Sequence, residues 1–337
     1  MSAIADVARL AGVSKSTASR ALSGSGYVST RTRERVEQAA SAIGYVVSSN
    51  AASLVTGLSR NVGVVMPLLN RWYFGEVLEG IETALIRAGY DLTLYQLSED
   101  PAHRRRIFDY FLVRKRVDAV IAVGIELTDA EVAMLQSLGK PIVGIGGDIS
   151  GVPTLSIDDV EAARFMTTHL VSLGHTRIMH LGGDQDNQMD FRVHELRLAG
   201  FRQALAAGGV RPEMDFRAVP FSIQGGFAGA LSVLADPTSR PTAIVAGCDE
   251  IASGVIVAAR PLGIQVPRQL SVVGIDGHPL AEMFQLTTLE QVPSLQGAAA
   301  VGLVLPRLEN APVPVPGRIT MPMSLAVRGS TTAPPAD

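Results

Sequence analysis

Residues 4–22 read IADVARLAGVSKSTASRAL. Ile4, Val7, Ala8, Leu10 and Ala11 recur at helical spacing, which predicts a short helix from Ile4 to Ala11. Gly12 can take a positive φ where that helix ends, and Val13 follows as an apolar plug. Ser14 is placed to cap a second helix, Lys15 to Leu22. Two short helices joined by a glycine-containing turn form a helix-turn-helix. Ala8, Val13 and Ala18 are small enough to let them cross closely. A Gly/Ser-rich loop follows over 23–30. Ser29 or Thr30 then caps a third helix, Arg31 to Ile43, with Val36, Ala39, Ala40 and Ile43 inward and Gly44 at its end.

The second helix of this motif is the one that enters a DNA major groove. Its outward residues are Lys15, Ser16, Ser19 and Arg20. Lysine and arginine donate to guanine O6 and N7, and serine donates or accepts. Ser14, Thr17, Tyr27, Ser29, Thr32 and Tyr45 suit phosphate contacts, which fix register without reading bases. Charge agrees. Residues 1–60 carry seven basic and three acidic side chains, a net of +4, while the remainder carries 22 and 29, a net of −7. A basic head on an acidic body predicts a polyanionic partner for the head alone.

The stretch 4–22, followed by YVSTRTRERVEQAASAIGY (27–45), resembles the head of the lactose-repressor/purine-repressor family, almost residue for residue and without gaps. The resemblance implies that Lys15, Ser16 and Arg20 choose operator bases. It also implies that SSNAASLVT (48–56) is a hinge helix that folds on the operator, with Ala51 at the DNA and Leu54 as the minor-groove wedge. The physics of the segment is compatible with this. It is shorter than an isolated helix needs, and Ser, Asn, Val and Thr form helices poorly. An apolar wedge that unstacks a base step kinks DNA. Ala3 replaces the family's usual Thr or Ser cap, with Ser2 beside it. Val47 and Ser48 replace the usual Pro-Asn before the hinge.

Beyond Asn61 the pattern changes. Short apolar runs occur at 62–67, 91–96, 118–124, 141–147, 154–158, 177–183, 216–221, 243–249 and 271–276. Buried parallel strands have this composition. Helical stretches such as 74–88, 159–172 and 192–208 lie between them. The alternation predicts an α/β body of two doubly wound parallel-sheet lobes. Ligands of such sheets bind beyond the carboxyl ends of the strands, here in a crevice between lobes.

The family resemblance continues through LGHTRIMHLGG, RLAGFRQAL, CDEIASG, GIQVPRQLSVVGIDG, LTTLEQ and LAVRGST. It implies a periplasmic-binding-protein-like body at 61–330 after a head at 1–47 and a hinge at 48–60. Lobe one would be about 62–158 with 292–320, and lobe two about 160–290 with 321–330. Residues 331–337 read as a disordered tail. Strand ends and family positions nominate Tyr73, Phe74, Gly124, Ile125, Asp158, Arg197, Phe221, Asp249, Asp276 and Gln291 for the effector. An arginine flanked by aspartates and an aromatic platform can hold a polyol. Cys248 stands where the family usually has Asn, and Gly277 where it has a second Asp, with His278 adjacent.

Several classes are disfavoured. The chain has 337 residues and is 47% apolar but only 5% aromatic, so aliphatic residues must fill its core. No apolar run approaches a bilayer span, and the N-terminus lacks a signal-peptide pattern, so a cytoplasmic location is expected. The single cysteine excludes an internal disulfide and a thiolate zinc cluster. The six histidines lack metal-ligand spacing, there is no nucleophile elbow or P-loop, and GIGGD (144–148) lacks the dinucleotide spacing. The expectation is therefore a non-enzymatic, cofactor-free regulator that binds a pseudopalindromic operator as a homodimer under a small-molecule effector, a carbohydrate. The alternatives are a purine- or nucleoside-responsive co-repressed regulator and a solute-binding protein. Dimer contacts are expected from helices near 74–88, 249–260 and 280–286.

Overall fold

Three helices make the head: α1 (Ile4–Ala11), α2 (Lys15–Ser23) and α3 (Thr30–Ala42). The computed structural model describes residues 4–23, 26–45, 58–98, 100–112, 117–185, 192–211, 215–309 and 317–335. These form two compact units, the head and a body that begins at Val62. In the head, Val7, Ala8, Ala11, Ala18, Ala21, Val36, Ala39 and Ala40 are buried in one cluster. Small side chains at these positions let three short helices share a core with almost no large residue. Gly12 has φ +63°, and the amide of Val13 donates to the Ala8 carbonyl (2.9 Å), which ends α1. Ser14 Oγ accepts from the Thr17 amide at the start of α2, and Ser29 Oγ accepts from the Thr32 amide at the start of α3.

The body holds two six-stranded sheets. The first comprises β1 (Asn61–Met66), β2 (Asp91–Gln96), β3 (Ala119–Val123), β4 (Ile142–Ile145), β5 (Thr154–Ser156) and β11 (Arg318–Thr320), in the order β11-β5-β4-β3-β1-β2. Its helices are α4 (Trp72–Arg87), α5 (Pro101–Arg106, continued by a π-turn to Leu112) and α6 (Asp129–Ser137). The second comprises β6 (Ile178–Gly182), β7 (Phe216–Ala218), β8 (Ala243–Ala246), β9 (Ser271–Asp276), β10 (Thr287–Glu290) and β12 (Ser324–Ala326), in the order β12-β10-β9-β8-β6-β7. Its helices are α7 (Asp159–Ser172), α8 (Val193–Ala207), α9 (Ile223–Leu234), α10 (Asp249–Ala259) and α11 (Leu280–Met283). The last helix, α12 (Pro293–Leu308), returns to pack on α4 over the first sheet.

Pairings β1–β3, β3–β4, β4–β5 and β5–β11 are parallel, as are β6–β7, β6–β8, β8–β9 and β9–β10. Only the edge strand β12 is antiparallel to its neighbour among these pairs. The second sheet is covered on both faces: α9 and α10 bury one side, α7 and α8 the other. This is the doubly wound α/β architecture that the alternating runs predict. The chain passes between the lobes after β5, after β10 and between β11 and β12. Met321, in the third passage, packs on the cores of both lobes.

Helix pairs cross closely wherever glycine removes the side chain. A Cβ on Gly80 of α4 would lie 2.0 Å from the Ser294 carbonyl oxygen, and one on Gly297 of α12 would lie 2.2 Å from that of Val77.

Two expectations need correction. The start of the supposed disordered tail is anchored: Thr332 N donates to Ser271 Oγ, and its carbonyl lies 2.8 Å from His175 Nε2. Thr331 Oγ1 is 3.1 Å from His169 Nε2. A polar, proline-containing stretch reads as disorder because these partners lie about 60 to 160 residues away. The helix near 249–260, nominated for dimer contacts, buries nearly all of its apolar residues inside its own lobe.

Candidate functional site

On the head, Lys15, Ser16 and Arg20 are exposed on α2 while Ala18 and Ala21 on its other face are buried. The helical period separates the two sets, so the core positions leave the polar ones outward. Thr17 and Ser19 are half-buried at the edge of that face. Ser14 is exposed, and its hydroxyl lies 2.9 Å from both Ser16 Oγ and Thr17 Oγ1. Tyr27 is 94% exposed, which leaves its ring and hydroxyl open to a partner. Ser29 is exposed at the start of α3, with Thr32 half-buried beside it. Tyr45 packs against the head's core. Ala51 and Leu54 lie outside the described residues.

The body has a cavity of about 310 Å³ between its lobes. Drug-sized ligand sites begin near this volume. Tyr73, Phe74, Gly124, Arg197, Phe221, Asp276 and Gln291 all line it. Residues more than 200 positions apart thus meet at the carboxyl ends of the strands, where the fold requires the site to be.

Two buried polar systems form the walls. Arg197 Nε donates to Asp159 Oδ1 over 2.8 Å, and its Nη1 donates to the Gly247 carbonyl. Burial opposes the charge of Arg197, but Asp159 and Asp276 outweigh it and raise the pKa. Burial pushes Asp159 up, against the pull of Arg197. The second system crosses from lobe to lobe. Tyr73 donates to Gln296 Oε1 (3.0 Å), Gln296 Nε2 to Gln291 Oε1 (2.8 Å), and Gln291 Nε2 to Asp276 Oδ1 (2.7 Å). Asp276 is buried, and that burial raises its pKa well above the usual carboxylate range, with Arg197 opposing. Asp276 also lines the cavity. Burial likewise raises the Tyr73 phenol.

Aromatic rings complete the enclosure. The Phe221 ring lies 4.2 Å from His194, whose pKa burial lowers to about 4. Phe74 stands edge-on to Tyr73 with centroids 5.4 Å apart. Trp72 of lobe one meets His278 of lobe two at 4.8 Å.

Three nominated effector residues are elsewhere. Asp158 is exposed and caps α7, its Oδ1 accepting from the Glu161 amide, so its neighbour Asp159 supplies the wall. Ile125 is buried away from the cavity, because Gly124 already turns the chain at the strand end. Asp249 does not line the cavity either. Its carboxylate accepts from the amides of Gly277 and His278 and from Thr288 Oγ1, which braces the loop after β9. Sequence reasoning missed Asp159, Arg71, Trp72, His194 and Glu250 as lining residues. The run RWYF at a strand-to-helix junction was the available signal for Arg71 and Trp72.

A helix-turn-helix head carried on a two-lobed body with a ligand-sized cleft defines a class: the effector-controlled transcription regulators. Comparison with known proteins agrees. Residues 3–48 match the model for bacterial regulatory proteins of the lacI family, and residues 167–331 match the periplasmic binding protein-like domain. The chain is 33% identical to the HTH-type transcriptional regulator DegA of Bacillus subtilis (strain 168), over 98% of each chain. It is 30% identical to the HTH-type transcriptional repressor PurR of Vibrio campbellii (strain ATCC BAA-1116), over 92% of this chain and 93% of that one. Among solved structures it is similar to the Lac repressor dimer bound to operator and the anti-inducer ONPF. That match has a TM-score of 0.83 and 26% identity, and covers 98% of this chain and 99% of that one. It is also similar to the CelR–cellobiose complex, with a TM-score of 0.69 and 27% identity over 98% and 100% of the two chains. The chain belongs to the LacI family.

Proposed function

We propose that this protein is a transcriptional repressor that binds a pseudopalindromic operator as a homodimer and adjusts its operator affinity to a small molecule held between the lobes. The observation that carries the reading is the exposed Lys15–Ser16–Arg20 face of α2 in the same chain as the enclosed cleft. Lys15, Ser16 and Arg20 read bases, with Ser19 beside them on α2; Ser14, Thr17, Tyr27, Ser29, Thr32 and Tyr45 approach the backbone; Ala51 and Leu54 belong to the hinge. Two heads on two half-sites require two-fold symmetry. Ile86 on α4 and Leu295 on α12 are exposed apolar residues suited to the dimer contact, as is Met283 in the second lobe. The domain boundaries are those given above, with the tail shortened by its anchored start. The protein is a cytoplasmic regulator and not an enzyme, as its regulator relatives support.

The effector is a carbohydrate. Phe221 and Trp72 offer flat apolar faces, while Asp276 and the Arg197–Asp159 pair offer directed polar groups. The cellobiose-bound relative supports this class. Ligand binding that competes for Asp276 breaks the Tyr73–Gln296–Gln291–Asp276 chain, and so changes the lobe angle. Effector and operator then influence each other reciprocally. The test is operator affinity against salt for the full chain and for a form lacking residues 1–58. The full chain should show a steep salt dependence that the shortened form lacks. Equal DNA binding by both would remove the head from the function.

A further inference from the structure

The chain enters β1 through a short turn whose bonds converge on Asp118. Ser59 donates twice to Asp118 Oδ1, from its amide over 2.8 Å and from its hydroxyl over 2.9 Å. The backbone amide of Asp118 donates to the Asn61 carbonyl over 2.7 Å. Between these two anchors Arg60 has φ +52°, a left-handed conformation that residues with a side chain rarely adopt. Such backbone persists where its neighbours hold it in place. Asn61 opens β1, Asp118 immediately precedes β3, and Val62 pairs with Ala119 in parallel register. Asp118 nonetheless belongs to the compact unit that runs to Asn61, whereas Ala119 belongs to the body.

The position of this tie decides how much chain separates a fixed point from the DNA-contacting segment. Leu54, the expected wedge, is five residues before Ser59. An extended chain spans at most about 3.6 Å per residue, so the wedge lies within roughly 18 Å of Ser59. The next tie to the start of β3 is the Asn61 carbonyl, two positions later. Moving the fixed point there adds up to about 7 Å of slack in each subunit. One base pair lengthens a duplex by about 3.4 Å. Slack of that size is enough to blur the distinction between one half-site spacing and the next.

We propose that Asp118 is a positioning residue for operator recognition: it ties the end of the linker to the entry of β3 and thereby sets the spacing at which the two heads of a dimer read their half-sites. The proposal rests on the repressor reading above. Asp118 touches no DNA in this role and acts through Ser59. Both side-chain bonds fall on Oδ1, so the position requires an acceptor oxygen, and a carboxylate is the stronger acceptor. An aspartate that only steadied the ends of β1 and β3 would alter stability and leave the spacing preference as it is.

The experiment uses the full chain, the consensus duplex that it selects from a randomised pool, and the same duplex with one base pair inserted or removed at its centre. The unsubstituted protein should prefer the selected spacing by roughly tenfold or more, because half-site separation is fixed by geometry. Asp118→Ala should reduce that preference several-fold, while Asp118→Asn, which keeps the Oδ1 acceptor, should retain most of it. Ser59→Ala loses one of the two donors and should fall between them. Thermal melts establish that each variant is folded. Ser59 lies outside the strands, so its variant carries the test if Asp118→Ala does not fold. The proposal is overturned if Asp118→Ala, or Ser59→Ala in its place, keeps the original ratio of affinities, even with weaker binding to every duplex. It is also overturned if the unsubstituted protein selects a consensus but binds all three spacings alike. Failure to select any consensus overturns the repressor reading itself, and this proposal with it.

Discussion

Arg197 on α8 and Asp159 on α7 form a buried ion pair of 2.8 Å at the cleft wall, and both side chains are less than 10% exposed. One partner without the other is an uncompensated buried charge, which costs about 3–5 kcal/mol. Arg197→Met should therefore lower the melting temperature as well as abolish the effector response. Adding Asp159→Leu should restore most of the stability and none of the response. Calorimetric melts with effector titrations separate the two roles; a double variant that regains the response would leave Arg197 a purely structural brace.

Lys15 and Arg20 are exposed and hold no core contact. Replacing either with Ala should leave the melting temperature of the protein unchanged and relax base preference by about 1–3 kcal/mol at one operator position. Ala18 is fully buried in the same helix, and Ala18→Leu should unfold the head. Competition binding with operator point variants, alongside melts, distinguishes these outcomes.

The α4–α12 crossing depends on Gly80, where a Cβ would meet the Ser294 carbonyl oxygen at 2.0 Å. Gly80→Ala should cost about 1–3 kcal/mol through forced separation of the helices. Denaturant unfolding at constant m-value reads this loss. An unaltered midpoint would show that the crossing relaxes freely.

His180 is fully buried between Phe201 and Phe216, with its Nδ1–H donating to the Val245 carbonyl. Burial lowers its pKa from 6.5 to about 4, so the folded state holds the neutral ring while the unfolded chain takes up a proton. Its contribution to stability is present above pH 6.5 and is lost as pH falls toward 4. That lowering corresponds to about 3 kcal/mol, and His194 acts in the same direction. His180→Asn, which can still donate to Val245, should flatten the dependence of melting temperature on pH between 6.5 and 4. An unchanged slope would assign the acid sensitivity to the other histidines.

The head was legible in the sequence almost to the residue, because its signals are local. Gly12, Ser14 and Ser29 act within three or four positions of themselves, and Val7, Ala18 and Val36 mark inward faces by period. The lobes were legible as a class, since buried parallel strands such as AVIAV (119–123) have a distinct composition. The cleft was only partly legible. Asp158 and Asp159 are equivalent as sequence, and the choice between capping α7 and facing the cleft depends on where the first helical turn starts. Asp249 looks like a ligand group at a strand end, yet its partners Gly277, His278 and Thr288 come from β9 and β10.

The proposed function requires that α2 reads DNA for a symmetric dimer. Selection of duplexes from a randomised pool by the full-length protein tests it most directly. A two-fold symmetric consensus should be enriched, and that enrichment should be lost when Lys15, Ser16 and Arg20 are all replaced by Ala. No enriched consensus, or the same consensus from the triple variant, would contradict it.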